Sequence, residues 1–352
     1  MGKYYDGTKL LSLLDLEGNR PEIYMVTSNR SAGKTTYFSR YLVNRFIKYN
    51  EKFCLIYRYK YELDDVSDKF FKEIKTLFFP DNAVRDETRA KGSFKELYFI
   101  DDAKKDDIGR SCGYAVALNS AENIKRYSHY FADVTRMFFD EFQSESGNYC
   151  PNEVIKMQSV HTSIARGGGE QVRYVPLIMC GNCVSLINPY FTAMGISERL
   201  NKEVKFLRGN GFALECGYVE AAAEAQKQSG FNKAFCDSRY LAYSAGDVYL
   251  NDNTAFVETP AGVGKYLGTI RYNGADYGIR QYMDAGVIFC DNRPDLSYPY
   301  KISVTTDDFN INYVMLRNND MFISNMRYYF EKGCFRFKNL QCKEAVLKLI
   351  SY

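Results

Sequence analysis

Tryptophan is absent and histidine is scarce, with only His129 and His161 in 352 residues. The one CxxC, Cys180-Gly-Asn-Cys183, has no second CxxC to complete a zinc site, and a redox pair would open a helix just after a strand. It reads as a strand end. The ten cysteines stand singly, several inside apolar runs such as FCLIY and VIFCD, which suits buried thiols in a reducing compartment and not a disulfide framework. No apolar run approaches the ~18 residues of a membrane span, and MGKYYDGTKLLSLLD carries charges where a signal peptide has an apolar core. A cytoplasmic protein with no membrane partner is expected. The net charge of +3 is too small for the whole chain to announce a polyanionic partner. The stretch from Arg327 to Tyr352 is locally basic, with six Lys/Arg against Glu331 and Glu344.

What is present is a globular composition, 46% hydrophobic, in a chain long enough for a large and a small domain. The first half alternates apolar runs (22–28, 53–59, 114–119, 136–142, 174–182) with amphipathic segments. Phe38, Leu42 and Phe46 recur at helical spacing, as do Val66, Phe70, Ile74 and Leu77. This is the pattern of α/β architecture around a mostly parallel sheet. After Arg208-Gly-Asn-Gly211 the texture changes to a helical patch, VEAAAEAQKQSG, and a tyrosine-rich stretch with turn signals at GD, ND and TPAG. The expected division is a large α/β domain over 1–205, a helical connecting region over 206–260 and a small α+β domain over 261–352. In the last, antiparallel strands turn at Asn273-Gly274 and Asp284-Ala-Gly286, followed by the strand YKISVT and a helical end from about Met321.

The stretch Ser28-Asn29-Arg30-Ser31-Ala32-Gly33-Lys34-Thr35-Thr36 ends like a phosphate-binding loop (P-loop) but carries serine where G-x-x-x-x-G-K-[ST] begins with glycine. A strand precedes it and an amphipathic helix follows. That is the setting in which backbone N–H groups and a helix N-terminus cradle phosphates. Lys34 is then the residue for the β/γ-phosphates of ATP and Thr35 a ligand of Mg²⁺. Downstream, Met137-Phe138-Phe139-Asp140-Glu141 is an apolar run ending in two acids, Asp140 for the metal and Glu141 for the attacking water. Leu97 to Ile100, followed by Asp101 and Asp102, imitates it, but only the Asp140-Glu141 run is followed directly by a helix and a strand with a polar tip, Asn182. The domain over 1–205 is thereby expected to be a P-loop ATPase domain.

That order is similar to the ATPases with an additional strand and a catalytic glutamate, many of them ring motors, in which Asn182 would sense the γ-phosphate or the lytic water. Arg166, in IARGGG, has two readings: a cation at a helix C-terminus before capping glycines, or an arginine inserted into a neighbouring subunit's site. With SNRSAGKTT, LIYRYKYEL, RMFFDEF, TSIARGGG and GNCVSLINPYF in this order, the chain resembles the DNA-packaging (encapsidation) ATPases of small short-tailed, protein-primed bacteriophages. The resemblance implies a homo-oligomeric ring, expected to be a pentamer, acting in the bacterial cytoplasm and transiently at the procapsid portal vertex. It implies a packaging RNA, the capsid portal and double-stranded DNA as partners, Arg166 as the arginine acting in trans, and an RNase H-like C-terminal domain.

Asp276, Asp284, Asp291, Asp307 and Asp308 have no spacing that singles out a two-metal nuclease trio. A vestigial domain binding nucleic acid through Arg327, Lys332, Arg336 and Lys338 is therefore expected, with Arg58 and Lys60 as further contacts to DNA or a neighbour. A terminase-like enzyme with an active C-terminal nuclease, and a nucleotide-gated assembly protein without motor activity, are the competing functions. Glu141 weighs against the latter, and a GTP switch lacks its N-K-x-D sequence.

Overall fold

The apolar runs of the first half become strands buried on both faces. In the computed structural model, which describes residues 4–102, 109–167, 169–197, 199–200, 204–235, 239–245, 255–316 and 320–351, they are β1 (Ile23–Ser28), β2 (Lys52–Tyr57), β5 (Arg110–Ala117), β6 (Val134–Phe139) and β7 (Leu177–Asn182). Tyr24, Val26, Leu55, Phe138 and Ile178 pack on one side, beneath helices Lys34–Tyr49 and Val66–Phe78. The alternate residues Met25, Cys54, Ile56, Met137, Phe139 and Met179 are equally buried on the other. Both helices carry the four-residue apolar spacing seen in the sequence, with Phe38, Leu42 and Phe46 buried in the first and Val66, Phe70 and Ile74 in the second.

These strands belong to a nine-stranded sheet ordered β3-β4-β5-β2-β6-β7-β1-β9-β8, where β3 is Asn82–Arg89, β4 Phe94–Asp101, β8 Phe206–Gly209 and β9 Phe212–Cys216. Its centre is parallel, from β5 through β2, β6, β7 and β1 to β9. The hairpins β3–β4 and β8–β9 add antiparallel edges. Strand β7 lies between β6 and β1, so the carboxyl ends of three strands share one edge. Strand β4 runs antiparallel to β5, which sends Asp101 and Asp102 to the opposite edge, where Asp102 pairs with Lys75.

The chain folds as two compact units, one of Met1–Met194 and Leu200–Asn251 and a second of Gly195–Arg199 and Asp252–Tyr352. The segment expected to connect domains over 206–260 thus opens as sheet: β9 pairs with β1 from Ile23 to Thr27, and helix Glu220–Gln228 buries Ala222 and Ala223. The reason is length. Strands of four and five residues leave too short a pattern to read against the turn at Arg208–Gly211. The GD and ND turn signals lie outside the described residues; the TPAG stretch lies in the second unit.

The second unit has a five-stranded sheet of order β13-β10-β11-β12-β14, with β10 Lys265–Tyr272, β11 Ala275–Tyr282, β12 Val287–Asp291, β13 Lys301–Ser303 and β14 Phe335–Phe337. The first three form an antiparallel meander, and β13 and β14 add in parallel at the two edges. Asn273 and Gly274 are both left-handed, φ 50° and 77°, as a tight hairpin turn of this hand requires. Ile270, Ile279, Ile288, Ile302 and Phe337 form one core with Ile323 and Met326 of helix Met321–Glu331 and Val346 of helix Leu340–Ser351.

Candidate nucleotide site

Strand β1 ends at Ser28 and the next helix begins at Lys34, so five residues turn the chain at the sheet edge. The left-handed positions in this turn are Ser31 (φ 58°) and Gly33 (φ 88°), while Ser28 is still extended strand. Glycine's permissive backbone is therefore not needed at Ser28. The serine is fully buried, and a Cβ on its neighbour Gly217 would still be 3.6 Å away, so the side chain fits without crowding. Its hydroxyl accepts a hydrogen bond from Lys34 Nζ at 2.8 Å.

Lys34 is only 6% exposed. Its ammonium also donates to the Asn29 carbonyl at 3.1 Å and to Asn182 Oδ1 at 3.2 Å, and burial lowers its pKa. Asn182 is in reach because the β1–β7 register sets it beside Ser28. Asp140 follows β6 directly. Burial, with Glu141 as a smaller cause, pushes its pKa up to about 6, and the nearby Thr35 hydroxyl opposes the rise. Glu141 is exposed and left-handed (φ 54°), and its N–H donates to Asp140 Oδ1 at 3.0 Å.

A cavity of about 770 Å³ runs along the loop from Arg30 to Thr36 and is closed by Asp140, Glu141 and Asn182, with Tyr4 and Phe78 on its apolar flank. A second, of about 740 Å³, opens beyond Glu141 and Asn182 and is lined by Arg30, Arg58 and the 143–149 loop. Arg30 points into the second, paired with Glu145 at 2.6 Å and with the Tyr240 hydroxyl at 2.9 Å.

The loop is held by groups that the sequence did not single out for this purpose. The Asn29 carboxamide donates to the Val219 carbonyl (3.0 Å) and accepts from the Val219 N–H (2.9 Å), pairing with that residue as a strand would. Gln226 donates to the Ser31 hydroxyl, and Tyr5 N–H to the Ala32 carbonyl. Gln143 accepts from the N–H groups of Val184 and Ser185, tying the loop after Glu141 to the loop after Asn182. These contacts engage backbone groups that only the fold brings near, and no local pattern announces them.

Other expected residues lie elsewhere. Arg166 is exposed at the end of helix Glu153–Ile164. There the Arg173 guanidinium joins the carbonyls of Ile164 and Arg166 to that of Val134, the first residue of β6. That is the amino edge of the sheet, opposite Ser28, Asp140 and Asn182. Arg58 is not a surface cation: it is 8% exposed and ion-paired with Glu153, so its charge is spent inside the fold. Lys60 is exposed. In the second unit Arg327 donates to the Ile350 carbonyl, and Arg336 pairs with Glu258 and donates to the carbonyls of Gly333 and Phe335. Lys332 and Lys338 are exposed. Cys180 and Cys183 are buried thiols at the end of β7, not joined in a disulfide.

A parallel-rich α/β sheet that gathers a buried lysine, an acidic pair and a polar strand tip at one edge is the arrangement expected of a nucleotide-binding α/β protein. The podovirus DNA encapsidation protein (Gp16) family model matches residues 2–351, and the chain belongs to that family. It is 28% identical over 353 residues to the DNA packaging protein of Bacillus phage phi29, covering 99% of this chain and 96% of that one. It is 26% identical over 331 residues to the DNA packaging protein of Bacillus phage B103, covering 93% and 94%. Among solved structures, a chain of the bacteriophage Phi-29 viral genome packaging motor assembly superposes over 100% of this chain and 98% of its own, with a TM-score of 0.68 at 25% identity. Among the described residues no helix is long and apolar enough to cross a membrane.

Proposed function

We propose that the chain is the ATP-hydrolysing subunit of a homo-oligomeric ring, a pentamer, that drives double-stranded DNA into a procapsid through its portal, with a packaging RNA in the docked complex. The relatives that support this are DNA packaging proteins, and the superposed structure is a genome packaging motor assembly. The observation that carries the reading is the meeting of Lys34, Thr35, Asp140, Glu141 and Asn182 around one cavity at one sheet edge.

ATP lies with its triphosphate along the loop from Ser28 to Thr36, and Lys34 exchanges its Ser28, Asn29 and Asn182 oxygen partners for the β- and γ-phosphates. A hydroxyl and a carboxylate lining the same cavity are a donor set that suits Mg²⁺, which takes one or two protein oxygens and completes its shell with phosphate and water. Thr35 and Asp140 would hold it, and the ion supplies charge neutralisation across the phosphates when bound. Glu141 accepts the proton of the attacking water, and Asn182 orients that water or the γ-phosphate. Arg166 serves the neighbouring subunit's site, because its own lies at the far edge of the sheet.

In the second unit three of the five carboxylates considered for nuclease chemistry are committed to arginines. Asp276 and Asp308 face Arg271, and Asp291 pairs with Arg280 at 2.8 Å. This favours an RNase H-derived domain that binds nucleic acid without cutting it, with Lys332 and Lys338 as its available cations and Lys60 as a contact from the first unit. The decisive measurement is ATPase activity with and without double-stranded DNA. Lys34→Ala should lose nucleotide binding, and Glu141→Gln should bind ATP but not turn it over. Normal hydrolysis by Glu141→Gln would remove the base assignment.

A further inference from the structure

The geometry points to Arg58 as a positioning residue for Glu141. The inference rests on the reading of Glu141 as the base that activates water, and it concerns how that carboxylate is aimed.

Glu141 sits in a backbone conformation that residues with a side chain adopt rarely, and such a conformation persists only where its surroundings hold it. Arg58 is what holds it. The guanidinium lies under the chain just past the base, donating to the Phe142 carbonyl at 3.0 Å and reaching the Glu141 carbonyl at 3.5 Å from both terminal nitrogens. Its plane is flanked by the rings of Phe139 and Tyr149, with centroids 5.3 and 5.1 Å away.

The arginine is itself fixed from behind. Its Nε donates to Glu153 Oε2 at 2.8 Å, and Glu153, 2% exposed, accepts further bonds from the Cys150 N–H (2.8 Å) and the Tyr190 hydroxyl (3.0 Å). Every carboxylate oxygen thus has a donor, and both ends of the loop from Glu141 to Cys150 are referred to one buried ion pair. Charges buried this deeply need full pairing, and a surface cation meant for a polyanion would not be placed here. An arginine suits the task better than a lysine, because its planar fork can meet a carboxylate on one edge and carbonyls on another.

The test separates positioning from fold support and from direct phosphate contact. In the full-length protein, the paired replacement Arg58→Met with Glu153→Leu removes both charges together and avoids stranding one of them. It should fold, bind ATP within about twofold of wild type, and hydrolyse it on the order of 30–100-fold more slowly, the loss expected when a reacting group is misplaced by about 1 Å. Arg58→Lys, which keeps the charge opposite Glu153 but loses the fork, should fall between the two. It carries the test if the paired replacement fails to fold. In a Glu141→Gln background neither change should reduce the residual rate further, because Arg58 acts only through Glu141. Hydrolysis within about threefold of wild type, or an equal loss in the Glu141→Gln background, overturns the inference. So does a rise in the ATP dissociation constant that matches the loss of rate, which would mean that Arg58 touches phosphate. If Glu141→Gln itself hydrolyses normally, the base reading fails independently and the positioning role falls with it.

Discussion

Ser28 occupies the position where the phosphate-loop pattern has glycine, yet its backbone is extended and its hydroxyl is a partner of Lys34. Ser28→Gly should therefore leave ATP binding intact while loosening the end of β1. A stability loss of roughly 0.5–1 kcal/mol is expected, the usual cost of glycine in a strand. Thermal melting should register it as a shift of about 1–4 °C. A collapse of nucleotide affinity in this variant would mean that the hydroxyl has a direct role with phosphate. The residues proposed to meet phosphate and metal stand out in the sequence because that chemistry demands a fixed spacing from Gly33 or from the end of an apolar run. Asn29, Gln143 and Glu153 were not legible as supports, because each acts on groups more than thirty residues away. Arg58 was legible as a charge but misread in its destination, since one sequence cannot tell an exposed cation from one that meets Glu153, ninety-five positions further along the chain.

At the scale of elements, what could be read was what is buried. Strands β1, β2, β5, β6 and β7 show as apolar runs because both their faces are covered. The edge strand β3 did not show, for the opposite reason. Its sequence, NAVRDETR, is polar: it is paired with β4 along its whole length, buries Val84 alone in the core and adds ion pairs such as Lys95–Asp86 and Arg89–Glu96 across the ladder. Strand β14 escaped notice at three residues. One position in the parallel centre is open to a sharp test. A Cβ on Gly113 of β5 would come within 2.2 Å of the Phe53 carbonyl oxygen on β2, a backbone atom with nowhere to move. Gly113→Ala should cost at least the upper end of the ~1–3 kcal/mol range for overpacking. Denaturant unfolding would measure it, and a neutral result would show that β2 and β5 can part enough to admit a methyl group.

For the whole molecule, the edge on which Arg166 lies makes a requirement of assembly. On the proposed role of Arg166 in a neighbouring subunit's site, a single chain would hold the acidic pair without the arginine that completes it. Arg166→Ala and Glu141→Gln subunits, each inactive as homogeneous preparations, should therefore recover hydrolysis when mixed, since some sites then combine an intact glutamate with an intact neighbouring arginine. No recovery at any ratio would return Arg166 to the role of a cation at a helix end. The division into two units was legible as a change of texture, but placed too early, because the hairpin β8–β9 and the helix after it belong to the large sheet's unit.

The strand-like pairing of Asn29 with Val219, together with Gln226 on Ser31 and the Arg30 N–H on the Ser244 carbonyl, gives the loop a remote address. Helix Glu220–Gln228 contributes no lining residue to the cavity along the loop, yet it cannot open to solvent without first releasing residues proposed to bind nucleotide. Bound ADP should therefore slow amide exchange along this helix as it does in the loop itself, and Asn29→Ala should confine that protection to the loop. Nucleotide occupancy would then be recorded as solvent protection, far downstream of the lysine proposed to grip it.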